Sequence, residues 1–191
     1  MSNSMSESVS VSNISVRDIT QVALFAALTA VLAFVTVPLP FSPVPVTGQT
    51  LGVMLAGLFL GSRKAALSQI IYAFLGGIGL PIFAGGGSGF GSFVGPTGGY
   101  IWGFIAGAYI IGKLVEIKEE PDLIWKTTSL VIGGIIVIYT FGVAQMMIVT
   151  EMNIAKAFTA GALPFLPGDI FKVVLTLLIG QRGLKQLINR E

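Results

Sequence analysis

The chain has 191 residues, of which 53% are hydrophobic and only 10% are charged, so most of its surface is predicted to face lipid rather than water. It contains no cysteine and no histidine, which excludes disulfides, thiolate chemistry, histidine-based metal sites and histidine-dependent catalytic triads. The formal net charge of +2, with no basic cluster, gives no support for nucleic-acid binding.

The first segment, residues 1–16, is polar and rich in serine. It lacks both the basic start and the small-residue cleavage site of a secretory signal. We therefore predict a disordered cytoplasmic tail over residues 1–16 and a single transmembrane domain over residues 17–191.

Six apolar runs follow, and each is a candidate for a membrane-spanning helix, which needs about 20 apolar residues or fewer where neighbours shield it. In chain order they cover residues 19–37, 51–60, 65–80, 100–115, 123–149 and 165–180, with 48, 125 and 167 as alternative starts for the second, fifth and sixth runs. The second run is the shortest. The sequence thus predicts an all-α membrane protein with six transmembrane helices.

Lysine and arginine placement tests this count independently, because basic residues stay on the cytoplasmic side. They precede the first run and follow the sixth, and they occupy the joins between the second and third runs and between the fourth and fifth. The joins after the first and third runs have none, and the join after the fifth has only Lys156. This alternation predicts an even number of spans with both termini cytoplasmic.

Two uncharged loops are expected on the outer side. Residues 38–50 are rich in proline, and residues 84–99 are rich in glycine with phenylalanines between. We expect both loops to fold over the outer mouth of the bundle, with a merely flexible loop as the alternative. The glycine-rich loop has no basic residue and no Gly-Lys-Ser/Thr ending, so it has no group to hold a nucleotide γ-phosphate.

The sixth run begins with two opposite charges, Asp169 and Lys172, shortly after Pro167, a residue typical of a first helical turn. Positions three apart share one helix face. The helix dipole supports Asp169, whereas a lysine at mid-membrane costs roughly 2.5–3.5 kcal/mol. The pair either anchors a ligand that has N–H groups and a carbonyl or carboxylate, or is structural, with the charges neutralising each other or Lys172 reaching outward.

Weaker ligand-binding candidates lie at the predicted outer ends of other helices and in the glycine-rich loop: Gln49, Gly86, Tyr100 and Trp102. The two aromatic residues also fit the role of interface anchors. Gln145, inside the fifth run, is expected to make an interhelical hydrogen bond.

The first run contains small residues four apart, which allow another helix to approach closely. These are Ala23, Ala27, Ala26 and Ala30. The spacing fits either internal packing or a docking face for a separate protein.

Four segments together resemble the biotin-specific substrate-binding subunits (S components, the BioY family) of energy-coupling factor (ECF) type ABC transporters. The resemblance extends over nearly the whole chain from about Ile19. Its segments are the Ala23/Ala27 spacing, Pro43-Val-Pro-Val-Thr-Gly-Gln-Thr50, Gly95-Pro-Thr-Gly-Gly-Tyr100 and Pro164-Phe-Leu-Pro-Gly-Asp-Ile-Phe-Lys172.

The resemblance implies a six-helix S-component fold in the membrane lipid of a prokaryotic cell, binding biotin near the outer face without a cofactor. It implies that Asp169 accepts ureido N–H groups and that Lys172 contacts the ureido oxygen or the valerate carboxylate. It also implies a partner ECF module, composed of a transmembrane coupling protein and two cytoplasmic ATPases, that docks on the Ala23/Ala27 face and drives uptake by ATP hydrolysis.

Three other functions fit the sequence less well. An S component for another vitamin is disfavoured by the Asp169–Lys172 pair and by the Gly95–Tyr100 loop. A stand-alone proton-coupled carrier would use Asp169 as a relay, but an acid beside a lysine tends to stay ionised. A membrane enzyme lacks groups for an acid–base pair, since histidine and cysteine are absent.

Overall fold

The structure is a computed structural model that describes residues 15–188. The predicted tail therefore lies outside the described residues, except for Ser15 and Val16 at its end. Ser15 is the N-cap of the first helix: its hydroxyl accepts a hydrogen bond from the Asp18 N–H at 3.1 Å, and the Asp18 carboxylate accepts the Ser15 N–H at 3.4 Å. This capping box starts the helix at Val16.

Helices make up most of the described chain, with one short hairpin. The helices are α1 Val16–Ala33, α2 Gln49–Leu60, α3 Ser62–Gly77, α4 Gly91–Val94, α5 Gly98–Glu116, α6 Leu123–Val131, α7 Ile138–Thr150, α8 Ile154–Gly161 and α9 Leu166–Ile188. A π-helical segment, Ile132–Val137, joins α6 to α7, and a 3-10 turn covers Ala84–Gly86. Strands β1 Thr36–Val37 and β2 Val46–Thr47 pair antiparallel.

Each of the six predicted runs overlaps a helical segment, although the first run extends past the end of α1 into β1 and the second corresponds only to the short helix α2. Three segments in the described part of the chain are individually long and apolar enough to cross a bilayer: Val16–Ala33, Gly98–Glu116 and Leu123–Thr150. Helices α8 and α9 meet at a bend of 49° and satisfy the same criterion as one pair, while α2 is a shorter apolar helix. The protein is thus built from several apolar helices, and a count of six crossings remains a prediction. Helix α8 was not predicted.

Glycines let α5 pack tightly against the middle of the Leu123–Thr150 segment. A Cβ on Gly107 would lie 2.5 Å from the Gly133 carbonyl oxygen, and a Cβ on Gly133 would lie 2.7 Å from that of Gly107. Since real side chains do not approach so closely, these two backbones meet only because both residues are glycine. Buried apolar side chains such as Met54 and Ile111 fill the adjoining core.

Two loops cover one end of the bundle, which we call the loop end: residues 34–48, containing the hairpin, and residues 78–97. The second loop folds back onto α3 through Phe83, whose ring packs directly on Gly76. A Cβ on Gly76 would lie only 2.3 Å from that ring, so the contact requires glycine. The Gly89 N–H also donates to the Gly76 carbonyl at 2.8 Å. The loop is therefore held against its own helix.

The opposite end, which we call the basic end, carries polar links between helices. The Glu116 carboxylate accepts the Ser62 N–H at 2.7 Å and its hydroxyl at 2.8 Å, so a side chain of α5 caps α3. Lys64 of α3 pairs with Asp18 of α1 at 2.5 Å. These contacts fix the relative positions of α1, α3 and α5.

Candidate functional site

A cavity lies beneath the two loops at the loop end, between α2, α5, α7 and α9. About 590 Å³ of space free of protein atoms lies between its walls, open solvent at its mouth included. Much of its wall is apolar, and its largest apolar side chains are Phe83, Ile101, Phe104 and Phe165. Both loops contribute to the lining, through residues such as Val44 and Ala84.

The polar part of the cavity centres on Asp169, in the first turn of α9, whose side chain is 2% exposed. Its Oδ1 accepts the Thr50 hydroxyl at 2.8 Å, and its Oδ2 accepts the Tyr139 hydroxyl. The N-terminal end of α9 adds a favourable dipole. Three helices, α2, α7 and α9, therefore hold this carboxylate in place.

Lys172 lies one turn further along α9, with its side chain 13% exposed. Its Nζ donates to Asp169 Oδ1 at 2.6 Å, to the Thr47 carbonyl at 2.6 Å and to Thr50 Oγ1 at 2.8 Å. The pair therefore does not point outward to solvent, and the alternative in which Lys172 reaches away from the bundle does not hold. Both residues line the cavity.

Counting donors and acceptors shows what this arrangement leaves for a ligand. An ammonium has three protons, and all three of Lys172 already have protein acceptors. An ionised carboxylate has about four acceptor positions; Asp169 uses two on Oδ1 and one on Oδ2. The pair is thus closer to self-sufficient than the sequence suggested, and the described residues leave one acceptor position on Asp169 unused.

Two further predicted residues line the same cavity. Gln49 is 4% exposed, and both ends of its amide are engaged: Nε2 donates to the Tyr72 hydroxyl, and Oε1 accepts from Thr47 Oγ1 at 2.9 Å. Tyr100 is 8% exposed and donates its hydroxyl to the Gly161 carbonyl at 2.6 Å. The ring of Tyr100 and the amide of Gln49 therefore shape the cavity from fixed positions.

Gly86 and Trp102 do not line this cavity. Gly86 ends the 3-10 turn with a positive φ of 82°, so its role there is conformational. Trp102 is 46% exposed on the outer surface of α5 and packs against Phe93 with ring centroids 5.1 Å apart. Neither residue lines the cavity in this structure, so their contact with a ligand stays a prediction, and Trp102 also fits the alternative role of an interface anchor.

Sequence reasoning missed Thr50 and Tyr139, the two hydroxyl groups that hold Asp169. Thr50 ends a quoted motif, but a lone threonine at a helix start has many ordinary roles. Tyr139 is the second residue after the π-helical segment, and π-helical segments often occur at functional sites. Gln145 was expected to make an interhelical hydrogen bond, and its Nε2 donates to the carbonyl of Phe93 in the short helix α4 at 2.6 Å and to that of Gly95, just after α4, at 2.9 Å.

The small residues of α1 do not share one face. Ala23 and Ala27 are exposed on the outside of the bundle, and Ala30 is half-buried. Ala26 is only 4% exposed and packs in the core. A docking face on this helix is therefore limited to the side that carries Ala23 and Ala27. Ala26 cannot belong to that face, because a partner protein cannot reach a buried side chain.

Comparisons with known proteins agree with this architecture. The model of the BioY family matches residues 3–189. The Biotin transporter BioY of Rhizobium etli is 40% identical over 174 residues, covering 87% of this chain and 92% of the relative. That of Thermotoga maritima is also 40% identical over 174 residues, covering 91% of this chain and 99% of the relative.

One solved structure has the same fold over most of its length. The S-component for biotin from an ECF-type ABC transporter superposes with a TM-score of 0.82 at 30% identity, covering 89% of this chain and 92% of that one. With its several apolar helices, this chain is a multi-pass membrane protein of the cell with the S-component fold. The extent of both matches shows that the chain belongs to the BioY family.

Proposed function

We propose that this chain is the biotin-binding S component of an ECF-type ABC importer, and that it captures the vitamin from outside the cell for ATP-driven uptake. One observation carries the proposal: in a chain of the BioY family, a buried aspartate–lysine pair borders a largely apolar cavity. Packed apolar residues would avoid the desolvation cost of such a pair. We infer that Asp169 and Lys172 are kept for the ligand.

The proposed binding mode follows from the groups that remain free. Among the residues that the structure describes, only the Tyr139 hydroxyl bonds Asp169 Oδ2, and the second acceptor position of this oxygen suits a ureido N–H of biotin. Lys172 contacts either the ureido oxygen or the valerate carboxylate, and to do so it exchanges one present acceptor, the Thr47 carbonyl or Thr50 Oγ1. The aromatic wall packs against the fused rings.

Calorimetry on the purified, folded chain tests this proposal. We expect heat with biotin at about one ligand per chain, and none with thiamine or riboflavin. Heat with one of those vitamins instead would support an S component of different specificity, and a folded sample that gives no heat with biotin would refute the proposal. Proton-driven biotin uptake by the chain alone in vesicles would point to the stand-alone carrier.

We also propose that six helices cross the membrane with both termini cytoplasmic, and that a coupling protein carrying two ATPases docks on the Ala23/Ala27 side of α1. The exposed Ala23 and Ala27 support the docking proposal, because small side chains leave room for a helix of the partner to approach closely. An Ala23→Trp variant is expected to bind biotin normally but to lose ATP-driven uptake with the complete module. Ile148→Trp, at a 79% exposed position on α7, is the matched control that retains uptake.

A further inference from the structure

Tyr72, on α3, joins the two loops that cover the cavity. Its side chain is fully buried. Its hydroxyl donates to the Ile82 carbonyl at 3.1 Å, in the loop of residues 78–97, and accepts a hydrogen bond from Gln49 Nε2. Its ring packs edge-to-face on Phe83, with centroids 5.5 Å apart. A single phenol thus contacts the second loop through both its ring and its hydroxyl.

The link continues from Gln49 into the hairpin loop. Gln49 Oε1 accepts the Thr47 hydroxyl at 2.9 Å, and Thr47 belongs to strand β2. The Thr47 carbonyl is in turn an acceptor for Lys172 at 2.6 Å. The hairpin is therefore tethered on one side to the lysine of the site and on the other, through Gln49, to Tyr72.

We propose that the Tyr72 hydroxyl is a latch that holds residues 34–48 and residues 78–97 closed over the cavity, making Tyr72 a positioning residue for ligand retention. The proposal rests on the function proposed above. When a ligand draws Lys172 away from the Thr47 carbonyl, the hairpin loses one of the two side-chain hydrogen-bond links described above. The Gln49–Tyr72 bond then carries a larger share of the closure, at the moment when the ligand has to be retained.

The latch predicts a kinetic effect. Tyr72→Phe keeps the ring against Phe83 but removes two hydrogen bonds, and it is expected to raise the biotin dissociation rate constant about tenfold. The association rate constant is expected to change by less than about threefold, because affinity changes at one interface act mainly on dissociation. Tyr109→Phe is the control: Tyr109 is 43% exposed and lies outside the cavity, so both rate constants should stay unchanged.

The distance between the two loops is a quantity that a loss of stability alone would not change. Because the chain has no cysteine, spin labels are introduced cleanly through Phe41→Cys and Phe90→Cys, at positions 64% and 74% exposed, one in each loop. Tyr72→Phe is expected to lengthen and broaden the measured distance distribution between the labels, with or without biotin. Tyr109→Phe is expected to leave it unchanged.

A second variant approaches the latch from its other side. Thr47→Val removes the hydroxyl that fixes Gln49 but retains the backbone carbonyl used by Lys172, so it should also raise the dissociation rate and broaden the distances. Unchanged distances in both Tyr72→Phe and Thr47→Val would overturn the latch. Because distances are measured without ligand, that outcome is distinct from failure of the proposed function, in which the unmodified chain would not bind biotin.

Discussion

Two aspartate–lysine pairs lie at opposite ends of the bundle and differ mainly in their surroundings. At the loop end, Asp169 and Lys172 are 2.6 Å apart, with side chains 2% and 13% exposed. At the basic end, Asp18 and Lys64 are 2.5 Å apart, with side chains 26% and 42% exposed. The two pairs therefore have nearly the same N···O distance, but the first is buried and the second is partly exposed to solvent.

Their hydrogen-bond partners differ accordingly. The buried pair recruits the hydroxyl groups of Thr50 and Tyr139 and the carbonyl of Thr47, because buried charges left without partners are costly. The exposed pair has water for that purpose, and its aspartate is shared with the N-cap of α1. The comparison supports the proposal that the first pair belongs to a ligand site, whereas the second pair links α1 to α3.

Removing each lysine is expected to give the largest contrast. Lys172→Ala should abolish detectable biotin binding, a loss of at least roughly 100-fold, because Asp169 is left buried without its counter-ion. The same change should lower the free energy of unfolding by about 3 kcal/mol. Calorimetry and thermal unfolding measure the two effects.

Lys172→Met, which keeps most of the side-chain volume, separates loss of charge from loss of packing. Normal biotin binding by both variants would make the pair structural.

Removing the neutral partners of the buried pair should produce a smaller effect. Tyr139→Phe deletes one hydrogen bond to the Asp169 carboxylate and is expected to weaken biotin binding about tenfold, as is Thr50→Val, since a hydrogen bond to a charged group contributes about 1.5–3 kcal/mol. Thr140→Val is the control, because its hydroxyl bonds only the Ile136 carbonyl among the described residues and is exposed. Titrations showing equal affinity for Thr50→Val and Thr140→Val would contradict this role.

Breaking the exposed pair should matter least. Lys64→Ala is expected to change the free energy of unfolding by less than about 1 kcal/mol and to leave biotin affinity within about twofold of the unmodified chain. Lys64 is the better choice for this test, since changing Asp18 would also remove the capping box of α1. If Lys64→Ala weakened binding as strongly as Lys172→Ala, the distinction between the two pairs would fail.

Much of the helical architecture could be predicted from the sequence because it follows from apolar run length. Helix α5 was expected over residues 100–115 and covers Gly98–Glu116. Helix α8 was missed since its eight residues are too few to be recognised as a span, and it packs beside α7 before the bend into α9. The β1–β2 hairpin was also missed, because its strands are two residues each and arise from tertiary contacts within a proline-rich loop.

The site was only partly predictable for a similar reason. Asp169 and Lys172 stood out because charges are rare in apolar helices. Their partners did not, because Thr47, Thr50 and Tyr139 lie more than 25 residues away in sequence and only folding brings them to α9. Ala26 was placed on the wrong side of α1 by spacing alone, since small residues suit both core and surface positions of a helix.

A structure of the purified chain determined with biotin tests the central claim most directly. We predict density for the vitamin in the cavity beneath the two loops, with a ureido nitrogen within hydrogen-bond distance of Asp169 Oδ2 and a biotin oxygen within that distance of Lys172 Nζ. Biotin bound elsewhere, with the Asp169–Lys172 pair and its protein partners left as they are, would contradict the claim.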